Sequence, residues 1–457
     1  MSITANRLLL SFYGDDFTGS TDALEFLSKA GIKTMLFISA PSKEQLQQYP
    51  DLQAIGIAGM SRTMSPKAME ATLKPAFEAL KAINPEHVHY KICSTFDSSP
   101  ERGNIGIAIK TGQSVFKTLV PLVVAAPALG RYCTFGNLYA RMGIGSQGQI
   151  YRLDRHPSMS KHPTTPATES DLRLHLAKQS TVKTGLLDIL DIAKESEQRK
   201  EKLHSLIAEG NEVILFDAID ATHMESIGEL LANIAPRDHP LFSVGSSGIE
   251  MALGLYWNRI GRIKNKENWP QPSAVKPLLV VSGSCSPVTA QQINQAVAIG
   301  FEEIALDTVA IAKQQDEEIL KVITKAVTFL RAEKNVVIHT SKGPDDERLA
   351  NTGKILKQDE QLTSASLLGT VLGNITRAIL EEVKLPRLLL AGGDTSSYAA
   401  RALGIEAVEM IAPLSPGAPL CKAYAPNSPA DGIEINFKGG QVGAPNYFEH
   451  IQSGKIS

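Results

Sequence analysis

Leu8-Leu9-Leu10-Ser11-Phe12-Tyr13 followed by Gly14-Asp15-Asp16-Phe17-Thr18-Gly19-Ser20-Thr21-Asp22 decides the reading of this chain. A short apolar run ends in a glycine and two adjacent carboxylates, and a Thr-Gly turn then opens a helical pattern from Thr18 to Ala30, closed by Gly31. That is a strand followed by a crossover helix, the unit from which parallel sheets are built. The alternation continues with strands over Lys33 to Ile38, Gln53 to Ala58 and His87 to Ile92, and a helix over Pro66 to Ile83. Beyond Glu169 the same rhythm predicts helices from Glu169 to Gln179 and His223 to Ile234. Strands are expected over Glu212 to Asp217 and Leu241 to Val244, the last entering Gly245-Ser246-Ser247-Gly248.

The segment Gly130 to Pro166, rich in Gly, His and Pro, breaks this rhythm and reads as an inserted hairpin with long loops. A polar stretch from Arg259 to Lys276, with Trp269-Pro270-Gln271-Pro272, carries no apolar period and reads as a linker. After it a second set starts, with strands at Leu278 to Val281, Asn335 to Thr340 and Leu388 to Leu390 and helices at Val288 to Ile299 and Leu367 to Val383. The expected fold is α/β, with two α/β domains of largely parallel sheets (1–262 and 274–457) facing a central cleft.

Composition sets bounds on function. The chain has 457 residues with 46 Lys plus Arg against 48 Asp plus Glu, a net charge of −2, so no broad basic field collects nucleic acid or anionic lipid. The most apolar stretch, Leu119 to Leu129, is interrupted by Pro121 and Pro127 and is too short to span a bilayer. Arg7 alone precedes the first apolar run, without a cleavage signal, and Cys93, Cys133, Cys285 and Cys421 show no C-x-x-C pairing. A cytoplasmic protein with reduced thiols is expected.

In such sheets ligands lie beyond the carboxyl ends of strands, so the loops that follow them carry the chemistry. Asp15 and Asp16 can accept hydrogen bonds from substrate hydroxyls, hold a cation or act as a general base. Helix capping would account for one of them, not both. Arg62, in Gly59-Met60-Ser61-Arg62-Thr63, reaches the same face if the strands are parallel. Lys91, with Cys93, Ser94 and Thr95, offers a cation and hydroxyls suited to a small polyhydroxylated anion.

In the second half, Ser282-Gly283-Ser284-Cys285-Ser286-Pro287 and Ala391-Gly392-Gly393-Asp394-Thr395-Ser396-Ser397 each join a strand to a helix through small residues. Backbone N–H groups there can approach phosphates at the positive end of a helix, and Asp394 can bind Mg²⁺ directly or through water. Either junction alone could be a capped turn, whereas two in one domain favour a nucleotide. Gly417 and the glycines around Gly440 suit either a nucleotide pocket or sheet turns. Gly143-Ile144-Gly145-Ser146-Gln147-Gly148 matches G-x-G-x-x-G but is followed by a strand pattern from Gln149 to Leu153, so it is not a dinucleotide loop, and no P-loop occurs. His156 and His162 read as structural loop histidines, and Cys285 has no histidine placed to activate it.

These motifs together, GDDFTGSTD at 14–22, Lys91 with CSTFDSS at 93–99, Gly103-Asn104-Ile105-Gly106, SGSCSPVT at 282–289 and AGGDTSS at 391–397, resemble the four-carbon acid sugar kinase family over nearly the whole chain. The resemblance implies a substrate-binding N-terminal domain and a nucleotide-binding C-terminal domain that phosphorylate acids such as threonate, erythronate or 3-oxo-tetronate with ATP and Mg²⁺. Carried over by motif, Asp15, Arg62, Lys91, Cys93, Ser94 and Thr95 would touch the acid sugar. Ser284, Gly392, Gly393, Asp394, Thr395 and Gly440 would touch ATP, with Mg²⁺ at Asp394. Asp15 or Asp16 would accept the hydroxyl proton, and a homodimer is compatible with this reading. Threonate-kinase-like members carry K-x-D-S-T-L-R-G where this chain has Lys91-Ile92-Cys93-Ser94-Thr95-Phe96-Asp97-Ser98, which brings it closer to the 3-oxo-tetronate branch. The basic insert at 151–166 leaves room for a branched acid such as 3-oxo-isoapionate. Two other readings compete: a dehydrogenase of the same acids, for which Gly14 to Gly19 lacks the glycines of a dinucleotide loop, and a two-lobed anion-binding protein without turnover.

Overall fold

The computed structural model describes residues 7–142, 148–162, 164–356 and 363–456. Backbone contacts divide the chain into two compact units, one of Met1–Met35 with Ala40–Glu267, the other of Leu36–Ser39 with Asn268–Ser457. Among the described residues no helix is long and apolar enough to cross a membrane.

The first unit contains β1 (Leu10–Gly14), β2 (Thr34–Phe37, whose end is grouped with the second unit), β3 (Ala54–Ala58), β4 (His87–Lys91), β5 (Val120–Val123), β6 (Arg131–Thr134), β7 (Asn137–Arg141), β8 (Ile150–Arg152), β9 (Thr184–Leu187), β10 (Val213–Phe216) and β11 (Leu241–Gly245). Its main sheet runs β2-β3-β1-β4-β11-β5-β10-β9, and every pairing from β3 to β9 is parallel. All residues of β1, β3, β4 and β11 are buried, as expected of a parallel sheet covered by helices on both faces. The helix Phe17–Lys29 starts on Asp16, whose extended backbone and side chain cap it through Gly19 N. The helix Pro66–Ile83 starts on Ser65 with Pro at its first position and stops where Asn84 turns left-handed, at φ 55°. The predicted elements of this half form, within a few residues at their ends. The helix expected from Glu169 starts only at Leu172, because Asn137 of β7 forms a bridge with Asp171 and Leu138 N binds Ser170 O.

The predicted hairpin insert is a three-stranded antiparallel sheet, β6-β7-β8. It is fastened over the carboxyl ends of β5 and β10, where Ala126 bridges Arg131 and Ala218 bridges Cys133. Residues Gly143 to Gln147 of the discounted glycine motif lie outside the described residues, and β8 follows it as a strand, as its pattern predicts.

The second unit contains β12 (Leu279–Ser282), β13 (Glu302–Ala305), β14 (Val336–His339), β15 (Arg387–Ala391), β16 (Ala407–Ala412), β17 (Leu420–Tyr424) and β18 (Glu434–Lys438). The order is β13-β14-β12-β15-β18-β17-β16, parallel up to β18 and antiparallel after it. Its core includes Leu278, Val280, Ile293, Phe301, Val337, Leu389, Leu420 and Tyr447. Both units are thus α/β with mostly parallel sheets.

Candidate functional site

Register alone places the loops after β1, β3, β4 and β11 at one sheet edge. Gly14 stands opposite Ala58 and Lys91, and Lys91 opposite Gly245. Arg62 leaves β3 on a short 3-10 turn whose backbone binds Asp15 O, and its guanidinium meets both carboxylates. Nε and Nη2 donate to Asp15 Oδ2 and Oδ1 at 3.0 and 2.8 Å, while Nη1 and Nη2 donate to Asp16 Oδ2 and Oδ1 at 2.8 Å each. Asp16 also accepts from Thr18 Oγ1 and Gly19 N, so it is cap and ion-pair partner at once. Asp15 accepts from Arg62 alone among the side chains whose bonds to it are described. Its pKa is raised by burial, against the pull of Arg62.

Lys91 is 2% exposed, donates to Ile92 O, and stands 3.8 Å from Asp22 Oδ2. A methyl group on Gly19 would fall 3.3 Å from its Nζ and 3.5 Å from Arg62 Nη2, so the two cations share the space that this glycine leaves open. Cys93 Sγ lies 2.9 Å from Thr95 Oγ1, which donates to Asp97 Oδ1 at 2.7 Å. Burial pushes the Cys93 thiol up to about 12, so it is neutral at physiological pH. Asp15, Asp16, Arg62, Lys91 and the Cys93–Thr95 turn are therefore gathered at one edge.

Several residues there escaped the sequence reading. Ser247, after β11, donates to Asp22, whose pKa burial raises. Beneath that turn His89 lies between Glu250 Oε1 at 2.6 Å and Gly245 O at 3.0 Å, all buried. Arg131, from the insert, is also buried. His156 and His162 hold their own loops through Nδ1, as structural histidines do.

In the second unit the carboxyl ends of β12, β14, β15 and β18 also align, Ser282 with His339 and Ala391, and Ala391 with Lys438. Gly392 has φ 125°, and a Cβ on it would stand 3.2 Å from Ser284 N; a Cβ on Gly283 would strike Thr395 at 2.2 Å, and one on Gly440 would come within 2.9 Å of Ser284 Oγ. Ser284, Gly392, Thr395 and Gly440 are thus packed against one another, as expected of a loop set whose backbone must approach a ligand closely. Gly393 and Asp394 form the first turn of the helix Gly393–Ala402, with Asp394 half-buried. Lys438, buried, donates to Thr289 Oγ1 and to the carbonyls of Gly439 and Gly440. Burial brings it down to about 7. Gly417, by contrast, lies in the turn between β16 and β17.

Residues 10–253 match the family of sugar-binding N-terminal domains and residues 279–448 the family of nucleotide-binding C-terminal domains. This chain belongs to the four-carbon acid sugar kinase family. It is 39% identical to a 3-oxo-isoapionate kinase of Paraburkholderia graminis, over 98% of this chain and 95% of that one. It is 28% identical to a 3-oxo-tetronate kinase of Pseudomonas savastanoi, over 98% and 97%. In fold it resembles a solved Salmonella typhimurium protein with a TM-score of 0.76 and 23% identity, covering 98% of this chain and 99% of that one. A Haemophilus influenzae protein follows with a TM-score of 0.67 and 24% identity, covering 97% and 99%. The expected family and the α/β class agree with these similarities.

Proposed function

We infer that the chain is an ATP-dependent kinase acting on a hydroxyl of a small acid sugar. Residues 1–262 would bind the acid and residues 274–457 the nucleotide, in the cytoplasm, where ATP is supplied. The observation that carries this is the buried Asp15 carboxylate, held by Arg62 at the carboxyl edge of the first sheet with lone pairs still free for a substrate hydroxyl. Among acid sugars, 39% identity to a 3-oxo-isoapionate kinase against 28% to a 3-oxo-tetronate kinase favours a branched five-carbon 3-oxo acid over 3-oxo-tetronate, threonate or erythronate.

In the reaction the substrate oxygen forms a bond to the γ-phosphorus as the bond from that phosphorus to ADP breaks, and the hydroxyl proton passes to Asp15. Asp16 is committed to capping and to Arg62, so Asp15 is the proton acceptor. Arg62 holds the two carboxylates rather than gripping the substrate, because its donors are already engaged. Lys91, Cys93, Ser94 and Thr95 line the acid sugar. Phosphoryl transfer depends on positioning and charge neutralisation more than on covalent chemistry. Ser284, Gly392, Gly393, Thr395 and Gly440 would carry the nucleotide. Mg²⁺ bound through nucleotide phosphates needs only one or two protein carboxylates, and Asp394, in the first turn beside these glycines, supplies one. Bound there, the ion would neutralise charge on the phosphates.

ADP release measured across 3-oxo-isoapionate, 3-oxo-tetronate, threonate and erythronate tests the reading. Turnover should be fastest on the branched acid. Release with none of them, in protein that binds ADP, would leave an anion-binding protein without turnover.

A further inference from the structure

Acid sugars carry a carboxylate, and in the strand-end cluster both cations already face carboxylates of the protein. Arg62 is spent on Asp15 and Asp16, and Lys91 leans on Ile92 O and Asp22. A third cation stands apart from this pattern. Arg131, the first residue of β6, is 94% buried, and its Nη1 donates to three carbonyls, those of Leu129, Gly130 and Arg141, at 3.1 to 3.3 Å. Its Nε has no hydrogen-bond partner, and among the described residues no carboxylate lies within ion-pair distance of it. A buried guanidinium without a carboxylate partner is costly, and an arriving anion would complete it.

The fold brings Arg131 towards the cluster. Its backbone bridges Ala126, at the end of the chain leaving β5. A Cβ on Gly248 would strike Ala125 O at 2.0 Å, so this segment packs directly on the turn after β11 that holds Ser247 against Asp22. Among the carboxylates, Asp97 and Asp22, both belonging to the candidate site, act on Arg131 through their charge. With Nη1 tied to carbonyls, the Nε and Nη2 edge remains, and that edge is the one that takes a carboxylate side-on through two parallel hydrogen bonds.

We propose that Arg131, supplied by the inserted hairpin, receives the carboxylate of the acid sugar and so selects acids over neutral sugars of the same shape. This rests on the kinase reading above. The test compares wild type, Arg131→Met and Arg131→Lys on two substrates: 3-oxo-isoapionate, and its analogue with the carboxylate replaced by a primary alcohol. Affinity for ADP is measured by calorimetry in each. Wild type should strongly prefer the acid. Arg131→Met should raise KM for the acid about 10- to 100-fold, with kcat and ADP affinity nearly unchanged, and should treat acid and alcohol alike. Arg131→Lys, which keeps the charge without the fork, should fall between them.

Equal rises in KM for both substrates would indicate a structural role and overturn the proposal, as would wild-type KM in Arg131→Met. If Arg131→Met does not fold, wild-type KM and preference in Arg131→Lys would overturn it. A wild-type enzyme that uses the alcohol as well as the acid defeats this proposal and leaves the kinase reading standing. Failure of the wild type to bind any acid sugar defeats both.

Discussion

Replacing Asp15 by Asn separates chemistry from architecture at this site. The carboxylate is 3% exposed, and its pKa lies above the usual carboxylate value because burial outweighs Arg62. A carboxyl whose folded pKa is raised adds stability that is fully present below its unfolded pKa and lost as pH rises through the folded value, so at pH 7 to 8 the wild type carries this cost. Asn removes it. It also leaves a single oxygen to accept from Arg62 and turns an NH2 donor towards the other Arg62 N–H, so one of the two charged bonds, worth about 1.5 to 3 kcal/mol, is lost while Arg62 keeps its two bonds to Asp16. The relief of burial offsets part of that loss, so the variant should still fold. Turnover should not survive so well, because an amide cannot accept the hydroxyl proton, and loss of a positioned base costs roughly 10² to 10⁴ in kcat. Affinity for ADP should be unchanged. Asp16→Asn is the control. Asn caps helices as well as Asp, so the bond from Gly19 N persists and kcat should stay within about tenfold. Coupled measurement of ADP release at saturating acid sugar decides the matter. Should Asp15→Asn retain more than about a tenth of wild-type kcat, or should Asp16→Asn fall as far, the assignment of the proton acceptor is wrong.

Arg62→Ala leaves two adjacent buried carboxylates without their shared cation, and chemical denaturation should show a loss of about 3 to 5 kcal/mol, with Arg62→Lys recovering part of it; an unchanged midpoint would contradict the positioning role. Lys438, brought down to about 7, binds fewer protons folded than unfolded between pH 7 and its ordinary value of 10.5, so its contribution to stability rises with pH across that window and is at its lowest below 7. Urea midpoints of wild type relative to Lys438→Met should therefore climb from pH 7 to 9, and a constant difference would refute the assignment. Gly392→Ala forces a side chain onto a φ of 125° and against Ser284 N, which should weaken ADP binding at least tenfold by calorimetry while the acid-sugar side stays intact.

Asp15, Asp16, Arg62, Lys91, Ser284 and Gly392 could be placed at strand ends from sequence because a parallel sheet puts its strand-to-helix loops at one edge, and each of these residues follows a recognisable apolar run, whereas Gly440 came only through the family resemblance. What periodicity does not encode is strand order. β11 pairs with β4 although some 150 residues separate them, and it inserts between β4 and β5, so Ser247 meets Asp22, and Glu250 meets His89, only once the sheet is assembled. Asp22 stood in the motif that opened the reading, yet nothing near it in sequence marks its partners. The insert was legible as a hairpin but not as three strands, nor could its pattern show the bridge from Cys133 to Ala218 that fastens it after β10.

Asp15, Asp16 and Asp22 face Arg62 and Lys91, three carboxylates against two cations, in an edge that is mostly closed to water. Such a cluster suits a proton acceptor, because the surplus of negative charge and the burial both favour taking up a proton. For the same reason it repels an anionic substrate. A kinase for acid sugars built on this edge therefore needs its carboxylate receptor outside the strand-end loops, close enough to share the pocket and far enough from Asp15 not to cancel its charge. The hairpin over β5 and β10 carries the buried guanidinium of Arg131, which we propose as that receptor. On this view the family's strand-end motifs account for phosphoryl transfer to a hydroxyl, and the insert accounts for which acid presents it.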